Sequence, residues 1–145
     1  MTLKSLFASP LALLLAPAAF LVLNGPWMSE EEIKAAFAGT TIDGHYRSGR
    51  TFTERYGADM RLEYRERGRL TAGHWSLQAG TFCTIYDVDP TGGCYRVARH
   101  GDNCYEFYFV ARTEEEANEQ PRQPDWNARG WRTGEKATCV DGPTV

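Results

Sequence analysis

A chain of 145 residues with 19 acidic and 16 basic side chains carries a formal net charge of -3, which gives it no overall electrostatic attraction to nucleic acid or an anionic membrane surface. The length suits one domain: the ~120 residues beyond an export segment can bury a single modest core, with no room for a second.

Met1 to Gly25 places Lys4 ahead of a mostly apolar run, Leu6 to Leu23, broken by Pro10 and Pro17. This pattern predicts a secretory signal peptide, and Ala16-Pro17-Ala18 supplies the small residues of a cleavage site. Left uncleaved, Ser5 to Leu23 is long enough to serve as an N-terminal membrane anchor. The expected location is periplasmic or secreted.

Ser29-Glu30-Glu31-Glu32 then forms a capping box, with three carboxylates at the positive end of a helix. A short helix is predicted over Glu30 to Ala38, stopped by Gly39. Ile33 and Phe37, four apart, share the face that packs as a plug on one end of a sheet.

From Thr40 the period becomes two. Ile42, Gly44 and Tyr46 share one side, Ser48-Gly49 turns the chain, and Phe52, Glu54 and Tyr56 follow in the next strand. Gly57-Ala58-Asp59 is another turn. Met60, Leu62 and Tyr64 then alternate with Arg61, Glu63 and Arg65, a strand with one wet face. Arg67-Gly68 reverses the chain. Leu70 and Ala72, followed by Trp75 and Leu77, imply a change of parity and hence a bulge or bend at Gly73.

Gly73 to Phe109 reads as an antiparallel meander with turns at Ala79-Gly80, at Asp89-Pro90-Thr91-Gly92-Gly93 and at His100-Gly101-Asp102. A two-residue hairpin puts Trp75 and Leu77 on one face with Phe82, Thr84 and Tyr86. A three-residue loop aligns Tyr95 and Val97 with Tyr105, Phe107 and Phe109, and leaves Cys83, Cys94 and Cys104 on the opposite face. Thr113 to Pro124 is polar and reads as an exposed loop with no packing of its own. A last β region runs from Trp126 through Trp131 to Ala137-Thr138-Cys139, with Gly134 as its turn.

Four cysteines beyond an export segment are expected to pair, because an oxidising compartment lets disulfides persist and the Cys-x-x-Cys spacing of zinc ribbons is missing. Three pairings are possible. The strand map favours Cys83 with Cys94, as neighbours across a turn, and Cys104 with Cys139, across the polar segment. About eight or nine short strands joined by tight turns predict an all-β fold with one short N-terminal helix: a small antiparallel meander closing into a lipocalin-like β-barrel over residues 26–145.

Several stretches, Thr41 to Tyr46, Phe52 to Tyr56, Gly73 to Ser76, Phe82-Cys83 and Cys94 to Val97, together resemble the small exported proteobacterial proteins catalogued as domain of unknown function 995. The likeness covers about two thirds of the chain beyond the leader. It implies secretion and a β fold, and brings no activity with it. Trp75-Ser76-Leu77, Cys83 and Cys94 are also similar to a pattern in periplasmic eight-stranded barrels that inhibit secreted metalloproteases. That likeness implies an N-terminal segment entering the protease cleft; here Pro26 to Glu31 is acidic and has no counterpart in that pattern.

No catalytic constellation is readable, and neither a cofactor nor a metal is expected. His45, His74 and His100 fall on different strands and turns, and Asp87-Val88-Asp89 falls short of a calcium loop. Among Glu54, Asp59, Glu63 and Glu66, alternation turns Glu63 to solvent, so no glycosidase pair emerges. Two readings remain, both non-enzymatic. An interior filled by large aromatics favours a protein-interaction or inhibitor-type module, with Thr113 to Pro124, Trp126 and Trp131 as its partner surface. The alternative is a lipocalin-like binder of a small apolar or aromatic ligand, with Tyr46, Tyr56, Tyr64, Trp75 and Tyr86 lining its mouth. A cavity large enough for a ligand would separate the two.

Overall fold

The computed structural model describes residues 26–88 and 92–139; the stretch read as a signal peptide or anchor, with its expected cleavage site, and Asp89, Pro90 and Thr91 lie outside the described residues. Eight strands form a closed antiparallel barrel in simple meander order. They are β1 (Thr40–Tyr46), β2 (Thr51–Tyr56), β3 (Arg61–Glu66), β4 (Arg69–Gln78), β5 (Thr81–Tyr86), β6 (Gly93–Arg99), β7 (Tyr105–Ala111) and β8 (Asp125–Arg132). Closure is completed by β1 against β8, with Ile42 opposite Arg132. Among the described residues no helix is long and apolar enough to cross a membrane.

Helix α1 (Glu30–Phe37) plugs one end. Its capping box is complete: the Ser29 hydroxyl accepts from the Glu32 N–H at 3.2 Å, and the Glu32 carboxylate accepts from the Ser29 N–H at 2.7 Å. Ile33 and Phe37 are fully buried. The Phe37 ring lies 4.9 to 5.9 Å from those of Tyr56, Phe82, Tyr105 and Phe107, so one helical side chain joins three strands, β2, β5 and β7. Glu30 accepts the Gly80 N–H at 2.7 Å, pinning the plug to the β4–β5 turn. The preceding segment is also held: the Met28 N–H donates to the Val97 carbonyl at 2.8 Å.

The turns follow the residues that permit them. Arg67-Gly68 and Ala79-Gly80 both place two successive residues at positive φ, the conformation that matches the twist of a two-residue hairpin. Cys83 sits directly opposite Cys94 and is bonded to it, and Cys104 is bonded to Cys139. Both disulfides are those that the strand map favours.

Four sequence expectations need correction. First, Thr113 to Pro124 is not a bare loop: Thr113 caps a second helix, α2 (Glu114–Glu119), whose Ala117 is fully buried against the Cys83–Cys94 side of the barrel. Second, β4 pairs with β3 in unbroken register through Gly73, so there is no bulge there. Gly73 itself occupies an inward position, where a Cβ would sit 2.2 Å from the Ile85 carbonyl oxygen, while Leu70 points outward. The register shifts fall instead between Cys94 and Tyr95 and between Phe107 and Tyr108. Third, the β6–β7 connection is longer than three residues: Arg99 pairs with Tyr105, and the His100 N–H donates to the Cys104 carbonyl. Fourth, Ala137 to Cys139 forms no strand. That segment is held by Asn103, whose side-chain amide donates to the Arg132 and Lys136 carbonyls and whose backbone N–H donates to the Thr138 hydroxyl.

Candidate ligand cup at the open end

The α1 end of the barrel is filled, whereas the opposite end is hollow. Inward positions near that end carry Tyr46 on β1, Tyr64 and Glu66 on β3, Tyr86 on β5, Tyr95 on β6 and Phe109 on β7, all parts of the wall of a cup of roughly 430 Å³. Below it a smaller cavity of roughly 30 Å³, room for about two water molecules, lies between Tyr46, Tyr56, Tyr86 and Glu54.

Glu54 is 5 % exposed because strand alternation drives it inward between Phe52 and Tyr56. The Tyr56 hydroxyl donates to one carboxylate oxygen at 2.8 Å and the Tyr86 hydroxyl to the other at 3.0 Å. Burial pushes its carboxyl up from 4.5 to about 7, against the two hydrogen bonds, which favour the charged form. Burial raises the phenols of Tyr56 and Tyr86 as well, and the neighbouring Glu54 charge raises them further. Higher in the cup Tyr64 donates to Glu66 at 3.1 Å, which leaves Tyr46 to donate to Tyr64 at 2.8 Å. Burial and the Glu66 carboxylate lift Tyr64 to about 12, while the hydrogen bond from Tyr46 lowers it. Arg50 closes this ladder with an ion pair to Glu66 at 3.2 Å.

Folding takes up a proton on Glu54 between about pH 4.5 and 7, since its folded-state value lies above its unfolded one. Stability contributed by this group is therefore lost as pH rises through that window. Glu54→Gln removes the titration, and its unfolding free energy is expected to gain on that of the wild type from pH 4.5 to 7. Denaturant titrations across the range check this, and a difference that does not change with pH would contradict the assignment.

Of the five aromatics expected at the mouth, Tyr46, Tyr56, Tyr64 and Tyr86 surround the cup and the cavity beneath it. Trp75 does not. It is 1 % exposed and sits toward the plugged end, beside Tyr56 and Phe82. The two tryptophans expected on a partner surface are half-buried. The guanidinium groups of Arg47 and Arg129 both lie over Trp126, at 4.9 and 5.3 Å from its ring centroid, and Trp131 packs near His45. Arg129 in turn donates to the buried Glu106 at 2.7 Å, together with Tyr108 at 2.7 Å and His100 at 2.8 Å. Burial opposes the charge on Glu106, but the hydrogen bonds from Tyr108 and Arg129 outweigh it and hold the carboxyl below its ordinary value.

Sequence reasoning missed Arg112 and Arg122 at the rim of the cup, because Arg112 immediately precedes, and Arg122 lies within, the polar segment Thr113 to Pro124 that reads as a loop. Its capping pattern, Thr113 with Glu116 three residues on, was the available signal. His74 and Ser76 both meet the same Glu114 carboxylate oxygen, so the carboxylate stands between the imidazole and the hydroxyl and the pair does not form a Ser–His hydrogen bond. Among the described residues no group of three or more His, Cys, Asp or Glu side chains could hold a metal ion.

Comparison of the chain with known family models, curated proteins and solved structures gives no match.

Proposed function

We propose that this is an exported, lipocalin-like binding protein that takes a small aromatic molecule into the open end of its barrel. The observation that carries the reading is the cup itself. A hollow of roughly 430 Å³ falls within the range of small-ligand sites, and three of the rings in its wall, Tyr46, Tyr64 and Tyr86, are held by hydrogen bonds rather than free to collapse inward. The plugged end gives such a ligand one way in and out. Two disulfides support a compartment outside the reducing cytoplasm, periplasmic or beyond, which is also where the likeness to domain of unknown function 995 points.

Asn127, half-buried in the wall, provides the test. The neutral fluorophore N-phenyl-1-naphthylamine is expected to bind at one site per chain and to brighten on entering the cup. Asn127→Trp, which fills the cup, is expected to weaken that binding at least tenfold, or about 1.4 kcal/mol. Equal binding by both proteins would place the fluorophore elsewhere and overturn the reading.

A protein partner is the second reading. Leu70 and Val88, the large apolar side chains exposed among the described residues, line one groove with Tyr64 and Tyr86 beside the mouth. Recovery of one stoichiometric partner from periplasmic extract, released by Leu70→Asp, would favour it.

A further inference from the structure

The cup has an uneven distribution of charge. Its one rim carboxylate, Glu66, is engaged by Arg50 and Tyr64, and Glu54 at the floor is met by two phenols. Across the mouth stand Arg112 and Arg122, for whose guanidinium groups the described residues supply no carboxylate within ion-pairing distance. Arg122 lies over the Phe109 ring at 4.3 Å, a contact that leaves the outer side of its guanidinium available. The Tyr95 hydroxyl and the Asn127 side-chain amide, also in the wall, have no hydrogen-bond partner among the described residues. Two cations and two neutral donors thus face one hollow in a protein whose net charge is -3.

The backbone fixes the two arginines in place. Arg112 follows the last residue of β7, and its N–H donates to the Glu116 carboxylate at 2.8 Å while the Thr113 hydroxyl accepts from the Glu116 N–H at 3.1 Å. After α2 the Arg122 N–H returns to the Val110 carbonyl at 2.9 Å. Helix α2, seated through Ala117 over the Cys83–Cys94 disulfide, therefore acts as a brace that brings both residues to the same rim.

We infer that the ligand is an aromatic oxyanion, a small planar molecule bearing a carboxylate or sulfonate, whose charged group is held by Arg112 and Arg122 while its ring lies between Tyr46, Tyr86 and Phe109. A guanidinium fork matches two oxygens of such a group through charge-assisted bonds, made at an exposed rim where salt screens them. The inference rests on the cup being a ligand site, and the experiment separates the two claims. Binding of 8-anilinonaphthalene-1-sulfonate is compared with that of N-phenyl-1-naphthylamine, the same ring system without the sulfonate. The wild type is expected to prefer the sulfonate about tenfold or more at low salt, with the preference shrinking as salt rises. In Arg112→Gln/Arg122→Gln the ratio of the two affinities is expected to fall to about one, with the neutral fluorophore still bound at one site per chain as the report of an intact cup. Equal affinity of the wild type for both fluorophores, or a preference that survives in the variant, would overturn the oxyanion and leave the cup standing. Binding of neither would remove both.

Discussion

Trp75→Ala is expected to lower the unfolding free energy by about 3 to 5 kcal/mol, the range for deleting a large aromatic from a packed interior. The indole is 1 % exposed, packs beside Tyr56 and Phe82, and donates its N–H to the Gly57 carbonyl at 2.9 Å. Truncation leaves a cavity and also removes one of the two donors to that carbonyl, which belongs to the turn between β2 and β3 and keeps the Met60 N–H at 3.1 Å. The Trp75 backbone N–H also donates to the Met60 carbonyl in the same turn at 2.9 Å, a bond that the alanine variant keeps. Trp75→Phe keeps most of the packing and gives up the hydrogen bond, so a smaller loss of about 1 to 2 kcal/mol is expected. Denaturant titration of both variants is the measurement, and a loss under ~1 kcal/mol for the alanine variant would contradict the inward assignment.

Removing the Cys104–Cys139 bond, as Cys104→Ser/Cys139→Ser, is expected to be nearly as severe, at about 3 to 4 kcal/mol. The bridge spans 35 residues of sequence against 11 for Cys83–Cys94, and in the chain-entropy account the longer loop restrains the unfolded chain more. It also holds the last described segment next to Asn103, which is 3 % exposed and whose hydrogen bonds to Arg132, Lys136 and Thr138 depend on that segment staying in place. Comparison of the two double-serine variants decides the order. A Cys83/Cys94 variant that unfolds at the lower denaturant concentration would show that packing of α2 over the buried bridge outweighs loop length.

Much of this architecture is legible in the residues. Alternation in Met60 to Arg65, the Ala79-Gly80 and Arg67-Gly68 turns and the Ser29 capping box each reflect one dominant local term, and each appears as the sequence implies. The failures share a cause. At Gly73 the apolar Leu70 was allotted to the inside, but a glycine in an inward position contributes no hydrophobic signal, and Leu70 is 55 % exposed. Helix α2 buries one small residue, Ala117, so it has no apolar stripe to betray it, only its cap. The candidate site suffered most. Alternation placed Tyr46, Tyr64 and Tyr86 inside, yet whether inward aromatics fill a barrel or line a hollow depends on rotamers and strand stagger, which no spacing encodes. The rim arginines sit beside the unrecognised helix and were lost with it.

The seam between β1 and β8 has a consequence for how the chain reaches this state. Every other strand pair in the barrel joins neighbours in sequence and can form as a local hairpin, whereas Ile42 must find Arg132 at the far end of the domain. Contacts of such separation come late in folding, because the intervening chain must first be ordered. Until they form, the meander is an open sheet with two bare edges, each able to pair with another chain in the same condition. Cys104–Cys139 tethers the end of β8 to the start of β7, so a chain oxidised there before closure carries its last strand already in place. The rate at which this one bond forms thus bears on how long the last strand stays open to pairing with another chain.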